Sequence, residues 1–154
     1  MPISIFCLGK TRENWIKLGI NEYAKRLQPV WKIRWIELKD ASLKTEGSIE
    51  KVKLQEATTL LKAIPAAAYV IALDEKGKDF DSPAFAHELG RLVQDKEIAI
   101  LIGGVYGLDK TVRERADLCL SFSTFTFPHQ LIRVILMEQL YRAWTILSGK
   151  TYHY

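Results

Sequence analysis

Three short segments combine residue types that bind ligands with the expected ends of apolar runs. They are residues 73–77 (LDEKG), 103–107 (GGVYG) and 123–128 (STFTFP). In open α/β sheets, ligands bind beyond the carboxyl ends of the strands, and glycines there let a ligand contact the backbone. The glycine spacing is neither GxGxxG nor GxxxxGK followed by Ser or Thr, and residues 103–107 hold no basic side chain for a phosphate. The pattern favours adenosine joined to an uncharged or cationic group, whereas a plain tight turn between strand and helix is the alternative.

Arg133 is a second unusual residue, because it lies in a segment that is otherwise strongly apolar. Of the 17 residues from 131 to 147, 12 are apolar, which predicts a helix covered on two sides. Helical geometry places Arg133 on the apolar face, opposite Glu138 and Arg142. Either an anion or carbonyl groups receive the guanidinium inside the protein, or its long side chain reaches the rim from the first turn.

The remaining titratable groups give no Ser/His/Asp or Cys/His arrangement by spacing. His129 follows a proline at the expected entry of the last helix and could simply cap it. Glu138 and Arg142, four residues apart, match an ordinary stabilising pair on a helix. The last three residues, Tyr152 to Tyr154, offer aromatic surfaces that could stack on a base, although terminal residues are frayed by default.

Composition indicates one soluble domain over residues 1–154. The net charge of +4 permits an RNA or other anionic partner without requiring one. The two cysteines, Cys7 and Cys119, stand in apolar runs and are expected to be buried thiols, and three scattered histidines make a metal site improbable. No apolar tract is long enough for a signal peptide or a membrane span, so a cytoplasmic location is expected.

Short β-like runs alternate with longer helical ones, which predicts an α/β sandwich with a mostly parallel sheet of about five strands. Strands are expected at residues 3–8, 32–38, 66–73 and 97–102, and a last strand is expected to start at 118–121 and to continue into the hydroxyl-rich residues after it. Helices are expected at residues 12–27, 49–64, 83–95, 110–116 and 131–147. Ser82 and Asp109 are the expected N-caps, Pro83 the first residue of its helix, and Gly149 the stop of the last one. Residues 39–48 are expected to form a polar linker, and the strand before Asp74 is expected to end there.

Taken together, the motifs closely resemble the RlmH-type methyltransferases, small members of the SPOUT superfamily. The motifs in the second half are residues 103–107, residues 121–130 (SFSTFTFPHQ), Arg133, residues 138–143 (EQLYRA) and Tyr152-His153. Those before them are Gly9-Lys10, Trp15, Tyr23, Arg26, residues 73–78 (LDEKGK), Ser82 and Phe85-Ala86. The resemblance spans the whole chain, and the order of the motifs makes it specific.

The resemblance implies an S-adenosylmethionine-dependent enzyme that methylates N3 of a pseudouridine in 23S ribosomal RNA, on the assembled ribosome. It also implies a homodimer and a deep trefoil knot in the C-terminal part of the fold. The residues that it assigns to the cofactor are Leu73, Gly103, Gly104, Gly107, Ser123, Thr124, Phe125, Thr126, Phe127 and Pro128. Those that it suggests for catalysis or RNA contact are His129, Arg133, Arg142, Tyr152 and His153.

Within this second set, His153 or Tyr152 is expected in the base pocket, and Arg133 and Arg142 at RNA or at the subunit interface. Two other functions stay open. A non-catalytic ribosome-binding protein could retain the fold, which degenerate cofactor loops would indicate. A SPOUT enzyme for another RNA, such as transfer RNA, usually carries an additional RNA-binding domain.

Overall fold

The computed structural model describes residues 2–154, which form five strands and six helices. The strands are β1 (Ile3–Leu8), β2 (Ile33–Leu38), β3 (Tyr69–Asp79), β4 (Ile98–Ile102) and β5 (Leu118–Ser121). The helices are α1 (Asn14–Leu27), α2 (Leu43–Glu46), α3 (Ile49–Ala63), α4 (Ser82–Asp95), α5 (Lys110–Arg115) and α6 (Leu131–Leu147). No helix within residues 2–154 has the length and apolarity needed to cross a bilayer.

The five strands form one sheet in the order β2-β1-β4-β3-β5, and every pair is parallel. Alternate side chains of each strand point to opposite faces, so the sheet separates two apolar layers. Ile3, Ile5 and Cys7 face the layer built from α1, α4 and α6. Phe6 and Leu8 face the layer built from α3 and α5. The predicted sandwich with a parallel sheet is confirmed.

β3 is longer than the apolar pattern indicates. It does not end at Asp74 but bulges outward over residues 74–77 and then pairs again with β5, so that Leu120 faces both Leu73 and Lys78. Gly77 makes this possible, because a Cβ at this position would lie 2.7 Å from the backbone of Cys119. The polar residues thus mark a bulge inside the strand rather than its end.

Two other predictions about local structure were wrong. The N-cap of α4 is Asp81, whose carboxylate accepts a hydrogen bond from the Ala84 N–H at 2.8 Å, and Ser82 is already helical. The expected linker 39–48 contains the short helix α2, which Ser42 caps by accepting from the Thr45 N–H. Asp81, one residue before Ser82, was the stronger cap in the first case, and Ser42 is a cap within the polar segment in the second.

Helix α6 lies on the sheet between α1 and α4. Gly19 allows α1 to approach closely, since a Cβ there would stand 2.7 Å from the Val134 side chain. At the end of α6, Gly149 adopts φ 68°, and the next N–H, that of Lys150, donates to the carbonyl of Thr145. The expected stop at Gly149 is confirmed. The sequence predicted that α6 is covered on two sides. Its neighbours α1 and α4 cover much of its apolar surface.

A methyl group at Gly77 is expected to be far more costly than one at Gly90. Gly77→Ala would push against the backbone of β5 and should lower the free energy of unfolding by about 2–3 kcal/mol in urea titrations. Gly90 lies in α4 and meets only the side chain of Leu147, which can move. Gly90→Ala should be neutral or stabilising, because alanine favours the helix. Equal stabilities of the two variants would contradict the close approach of β3 and β5.

Candidate active site

The sheet order brings the three segments predicted to bind a ligand to one edge, since β4, β3 and β5 are neighbours. After β4, residues 103–107 form a turn in which the Gly107 N–H donates to the Gly104 carbonyl at 3.1 Å. Gly107 has φ 81°, and a Cβ at Gly103 would stand 2.9 Å from the Gly107 backbone. The turn itself therefore needs its glycines, and the same glycines leave its backbone open to a ligand.

Residues 122–130 run from the edge strand β5 across the neighbouring strand ends. Their hydroxyl groups shape the segment: Ser123 Oγ accepts from the Phe125 N–H at 3.0 Å, and Thr126 Oγ1 donates to Glu75 Oε2 at 2.7 Å. Phe125 itself is 77% exposed. The exposed ring of Phe125 and the nearby Glu75 carboxylate suit a ligand that is apolar in part and carries positive charge.

A cavity of about 160 Å³ lies beside this segment. Its wall is mostly aromatic and apolar, with Asp81, Ser82 and Gln139 as polar members. The lining residues are Phe80, Asp81, Ser82, Phe85, Leu120, Phe122, Phe127, Ile135 and Gln139. Ser82 Oγ donates to Gln139 Oε1 at 2.8 Å, so α4 and α6 are tied together at the cavity wall. Among the predicted cofactor residues, Phe127 contributes to this wall.

Arg133 is completely buried, so the prediction that it reaches the rim is wrong. Its Nη2 donates to the carbonyl of Leu8 at 2.8 Å, and its Nη1 donates to Thr11 Oγ1 at 2.9 Å. A buried guanidinium needs such partners, because its charge loses the solvation of water. In this position Arg133 is not accessible to RNA, and its hydrogen bonds tie the start of α6 to the end of β1 and to the segment between β1 and α1.

Glu37 of β2 provides a negative charge close to Arg133 and Thr11. Thr11 donates to Glu37 Oε1 from both its hydroxyl, at 2.9 Å, and its N–H, at 3.2 Å. Burial alone would raise the pKa of Glu37, but the hydrogen bonds from Thr11 and Trp35 and the charge of Arg133 lower it. Glu37 therefore stays ionised and compensates Arg133 through the hydroxyl of Thr11.

His129 and Gln130 continue the connection between the last segment and the start of the chain. Gln130 Nε2 donates to the Lys10 carbonyl at 3.1 Å, and Gln130 Oε1 accepts from the Arg12 N–H at 3.0 Å. Burial, together with the positive charges of Arg133 and Arg12, lowers the pKa of His129. The imidazole is therefore neutral at neutral pH and has a lone pair that could accept a proton.

The other three predicted residues form a separate group around Glu138. Glu138 Oε1 accepts from Arg142 Nε at 3.0 Å, from Arg142 Nη2 at 2.5 Å and from Tyr152 Oη at 3.1 Å. Arg142 Nη1 lies 3.2 Å from His153 Nδ1, and its guanidinium stacks on the Tyr152 ring, 4.9 Å from the centroid. The C-terminal residues are thus held against α6, and the default expectation of a frayed tail is wrong for Tyr152.

Sequence reasoning identified Glu138 as half of a helix pair and as a member of the motif 138–143, without a role of its own. Its central role comes from Tyr152, 14 positions later, which no helical spacing predicts. The structure joins Arg142, Tyr152 and His153 in one group, and His129 and Arg133 in another. Because nine residues of helix separate Arg133 from Arg142, the groups lie about 14 Å apart along α6.

Protonation is constrained in the group around Glu138. Burial, with contributions from Tyr23 and Glu138, raises the pKa of Tyr152 far above its ordinary value. Tyr152 therefore keeps its proton and acts as a donor. An arginine has no acceptor, so His153 Nδ1 must accept from Arg142, and a neutral His153 carries its hydrogen on Nε2. Glu138 accepts from Arg142 and Tyr152 and offsets the guanidinium charge, so the group presents the Nε2–H of a neutral His153 as a donor rather than a base.

The comparisons with known proteins agree with this geometry. The family model described as "Predicted SPOUT methyltransferase" matches residues 1–153, and the chain belongs to this family. Ribosomal RNA large subunit methyltransferase H of Halothermothrix orenii is 44% identical, with 99% of each chain covered. The protein of the same name from Paraburkholderia phymatum is 41% identical, again with 99% of each covered. The resemblance drawn from the motifs is confirmed.

A solved structure is similar to the chain in its fold. The probable methyltransferase from Bordetella pertussis Tohama I superimposes with a TM-score of 0.57 over 92% of this chain and 93% of its own. Its sequence is only 14% identical, so the similarity extends to the fold alone.

Removing the buried guanidinium is expected to destabilise the protein. Arg133→Met leaves the Leu8 carbonyl and Thr11 without their donors and should lower the free energy of unfolding by about 2–4 kcal/mol in urea titrations. The control is Arg91→Met, which removes an exposed pair with Glu88 and should cost about 0.5 kcal/mol or less. Equal effects of the two substitutions would contradict the importance of Arg133.

The pKa of His129 should lie below about 6.5 in an NMR titration, and Arg12→Met should raise it by removing a positive neighbour. The unfolded chain binds this proton more readily than the folded protein. His129 therefore contributes stability above the unfolded pKa, and this contribution is lost as the pH falls through the folded pKa. Lys62→Met, a change on α3, serves as the control. An unchanged His129 titration in Arg12→Met would refute the electrostatic coupling.

Proposed function

We propose that this chain transfers the methyl group of S-adenosylmethionine to N3 of a pseudouridine in 23S ribosomal RNA within the assembled ribosome. The observation that carries the proposal is the end-to-end similarity to proteins named ribosomal RNA large subunit methyltransferase H. The glycine turn and the hydroxyl-rich segment, both intact at one edge of the sheet, support an active enzyme over a non-catalytic binding protein.

The residues that would hold the cofactor fit it in shape and charge. Leu73 and the turn 103–107 offer backbone groups, and residues 123–128 add apolar surface and further backbone. Glu75, which accepts from Thr126, places negative charge near a cationic ligand. When bound, the cofactor supplies an electrophilic methyl group on a sulfonium. The contribution of the protein is to align that group with the target nitrogen and to exclude water.

In the reaction the N3–H bond of the base breaks and an N3–C bond forms, so a proton must leave. The N3 proton is weakly acidic, and positive charge beside the ring favours its loss. Arg142 is the cation of this group; its ion pair with Glu138 fixes the guanidinium in place and offsets part of its charge. A neutral His153 would donate from Nε2 to a carbonyl beside N3, and Tyr152 supplies an aromatic surface for the base. His129 is the neutral imidazole available to accept a proton, in the other group.

The two groups stand apart on α6, which supports a homodimer whose composite site takes one group from each subunit. α1 carries apolar side chains that fit such an interface: Trp15 is 58% exposed and Leu18 69%. Light scattering should show a dimer for the wild type and a monomer for Leu18→Glu. Leu54→Glu on α3, at a position 54% exposed, is the matched control and should remain a dimer. A wild-type monomer with full activity would overturn the composite site.

We also propose that residues 1–154 form a single SPOUT domain with a deep trefoil knot. The path of the chain supports the knot: after the edge strand β5 it crosses the strand ends to Lys10 and then returns between α1 and α4 as α6. An experimental trace in which residues 118–147 thread through no earlier loop would contradict it.

The test of function is transfer of labelled methyl groups to ribosomes that lack this modification. The purified protein should label one pseudouridine of the large-subunit RNA, whereas the naked RNA should be a poor substrate because a small protein must rely on the shape of the ribosome. Label on another RNA only would redirect the substrate, and absence of cofactor binding would favour the non-catalytic protein.

In the same assay, Glu138→Ala should lower kcat about 100-fold or more while cofactor affinity changes little, because Arg142 and Tyr152 lose their common acceptor. Glu88→Ala, which removes an exposed carboxylate of α4, should retain wild-type kinetics. An equal kcat in both variants would exclude the group around Glu138 from the reaction.

A further inference from the structure

Glu56 of α3 is a buried acidic residue that the proposed reaction does not use. It is only 4% exposed. Its Oε1 accepts a long hydrogen bond from the Ala41 N–H at 3.3 Å, and its Oε2 has no hydrogen-bond partner within residues 2–154. A buried polar atom without a partner costs free energy, so its presence requires an explanation.

The carboxyl group of Glu56 lies against the glycine turn that follows β4. A Cβ at Gly104 would stand 2.9 Å from each of its two oxygens. Glycine is therefore needed at position 104 to leave room for Glu56, just as Gly103 and Gly107 are needed for the turn itself. The side chain fills the space on the side of the turn that faces α3.

Glu56 also contacts a second segment at the same end of the sheet. Ala41 follows β2 and Gly104 follows β4, and these two strands flank β1. One carboxyl group thus spans the strand ends on both sides of β1. A change in its size or hydrogen bonding would reach the turn 103–107 and the segment around Ala41 together.

The environment of Glu56 penalises its ionised form. Burial, assisted by the negative charge of Asp40, raises its pKa and exceeds the opposite effect of the Ala41 N–H. A protonated carboxyl group is both a donor and an acceptor, whereas an ionised one only accepts. Glutamine has nearly the same shape and the same capacity to donate and accept, but methionine of similar size has neither.

We propose that Glu56 is a positioning residue for the cofactor, whose carboxyl group holds the turn 103–107 in the conformation that receives it. Oε2 lies against Gly104 without a partner in residues 2–154, so it is the atom of Glu56 that is available to bond the turn. The inference rests on the proposed function, because the turn is the cofactor segment of that proposal. It adds a residue of α3, on the opposite face of the sheet from α6, to the determinants of cofactor affinity.

Amide hydrogen exchange of the free protein tests the positioning without cofactor. Glu56→Met should speed exchange in residues 103–107 by about tenfold, equivalent to about 1.4 kcal/mol of local stability, whereas Glu56→Gln should stay within about twofold of the wild type. Gln55→Ala, an exposed neighbour on α3, is the matched control. Unchanged exchange in Glu56→Met, or equal effects in the Met and Gln variants, would overturn the proposal.

Calorimetric titration with S-adenosylmethionine gives the second readout. Affinity should fall about tenfold or more in Glu56→Met and should be retained in Glu56→Gln. If the wild type binds the cofactor and methylates ribosomes but Glu56→Met binds equally well, this inference fails and the proposed function stands. If the wild type does not bind the cofactor, both fail.

Discussion

The burial of the Arg133 guanidinium is the interaction on which the arrangement of the site depends. A charge without water must be met by fixed polar groups, and the carbonyl of Leu8 and the hydroxyl of Thr11 meet it here. The hydroxyl group of Thr11 also donates to Glu37 of β2. This one group therefore joins the start of α6, the end of β1 and the strand β2. The segment that leads into α6 consequently has little freedom to lie elsewhere on the strand ends.

Helix α6 then positions the candidate site residues in the C-terminal part of the chain. Its first turns face the strand ends. Its middle binds the C-terminal residues, because Glu138 accepts hydrogen bonds from Arg142 and Tyr152. The aromatic rings continue this packing, with Tyr141 4.8 Å from Tyr152 and 5.9 Å from Tyr23, measured between centroids. The rigid helix sets the distance between the group of His129 and Arg133 at one end and the group around Glu138 in the middle.

Much of the fold was accessible from the sequence, because periodicity and glycine report local geometry. The alternation of strands and helices, the cap at Asp109 and the stop at Gly149 are all local signals, and the structure confirms them. Contacts distant in sequence were not accessible. Apolar periodicity does not indicate that a strand resumes after a bulge at Gly77, or that Tyr152 returns to Glu138.

For the candidate site, the motif resemblance supplied the residues, but only coordinates could separate them into groups. Arg133 was recognised as an exception in an apolar face, yet its partners Leu8 and Thr11 lie more than a hundred positions earlier. Glu56 gave no signal at all, since one acidic residue on an amphipathic helix matches a solvent-facing position. Its burial follows from the approach of the turn at Gly104, which is a tertiary property.

The position of β1 inside the sheet also orders events during synthesis. β1 is the first strand to be translated, but it pairs with β4 through Ile3 and Ile98, and its end is completed only when Arg133 arrives. One edge of β1 therefore stays unpaired in a nascent chain until β4 has been made, although β2 can pair with its other edge earlier. The strand ends around the candidate site cannot take their final arrangement before the start of α6 has left the exit tunnel, because Arg133 is the donor to the Leu8 carbonyl.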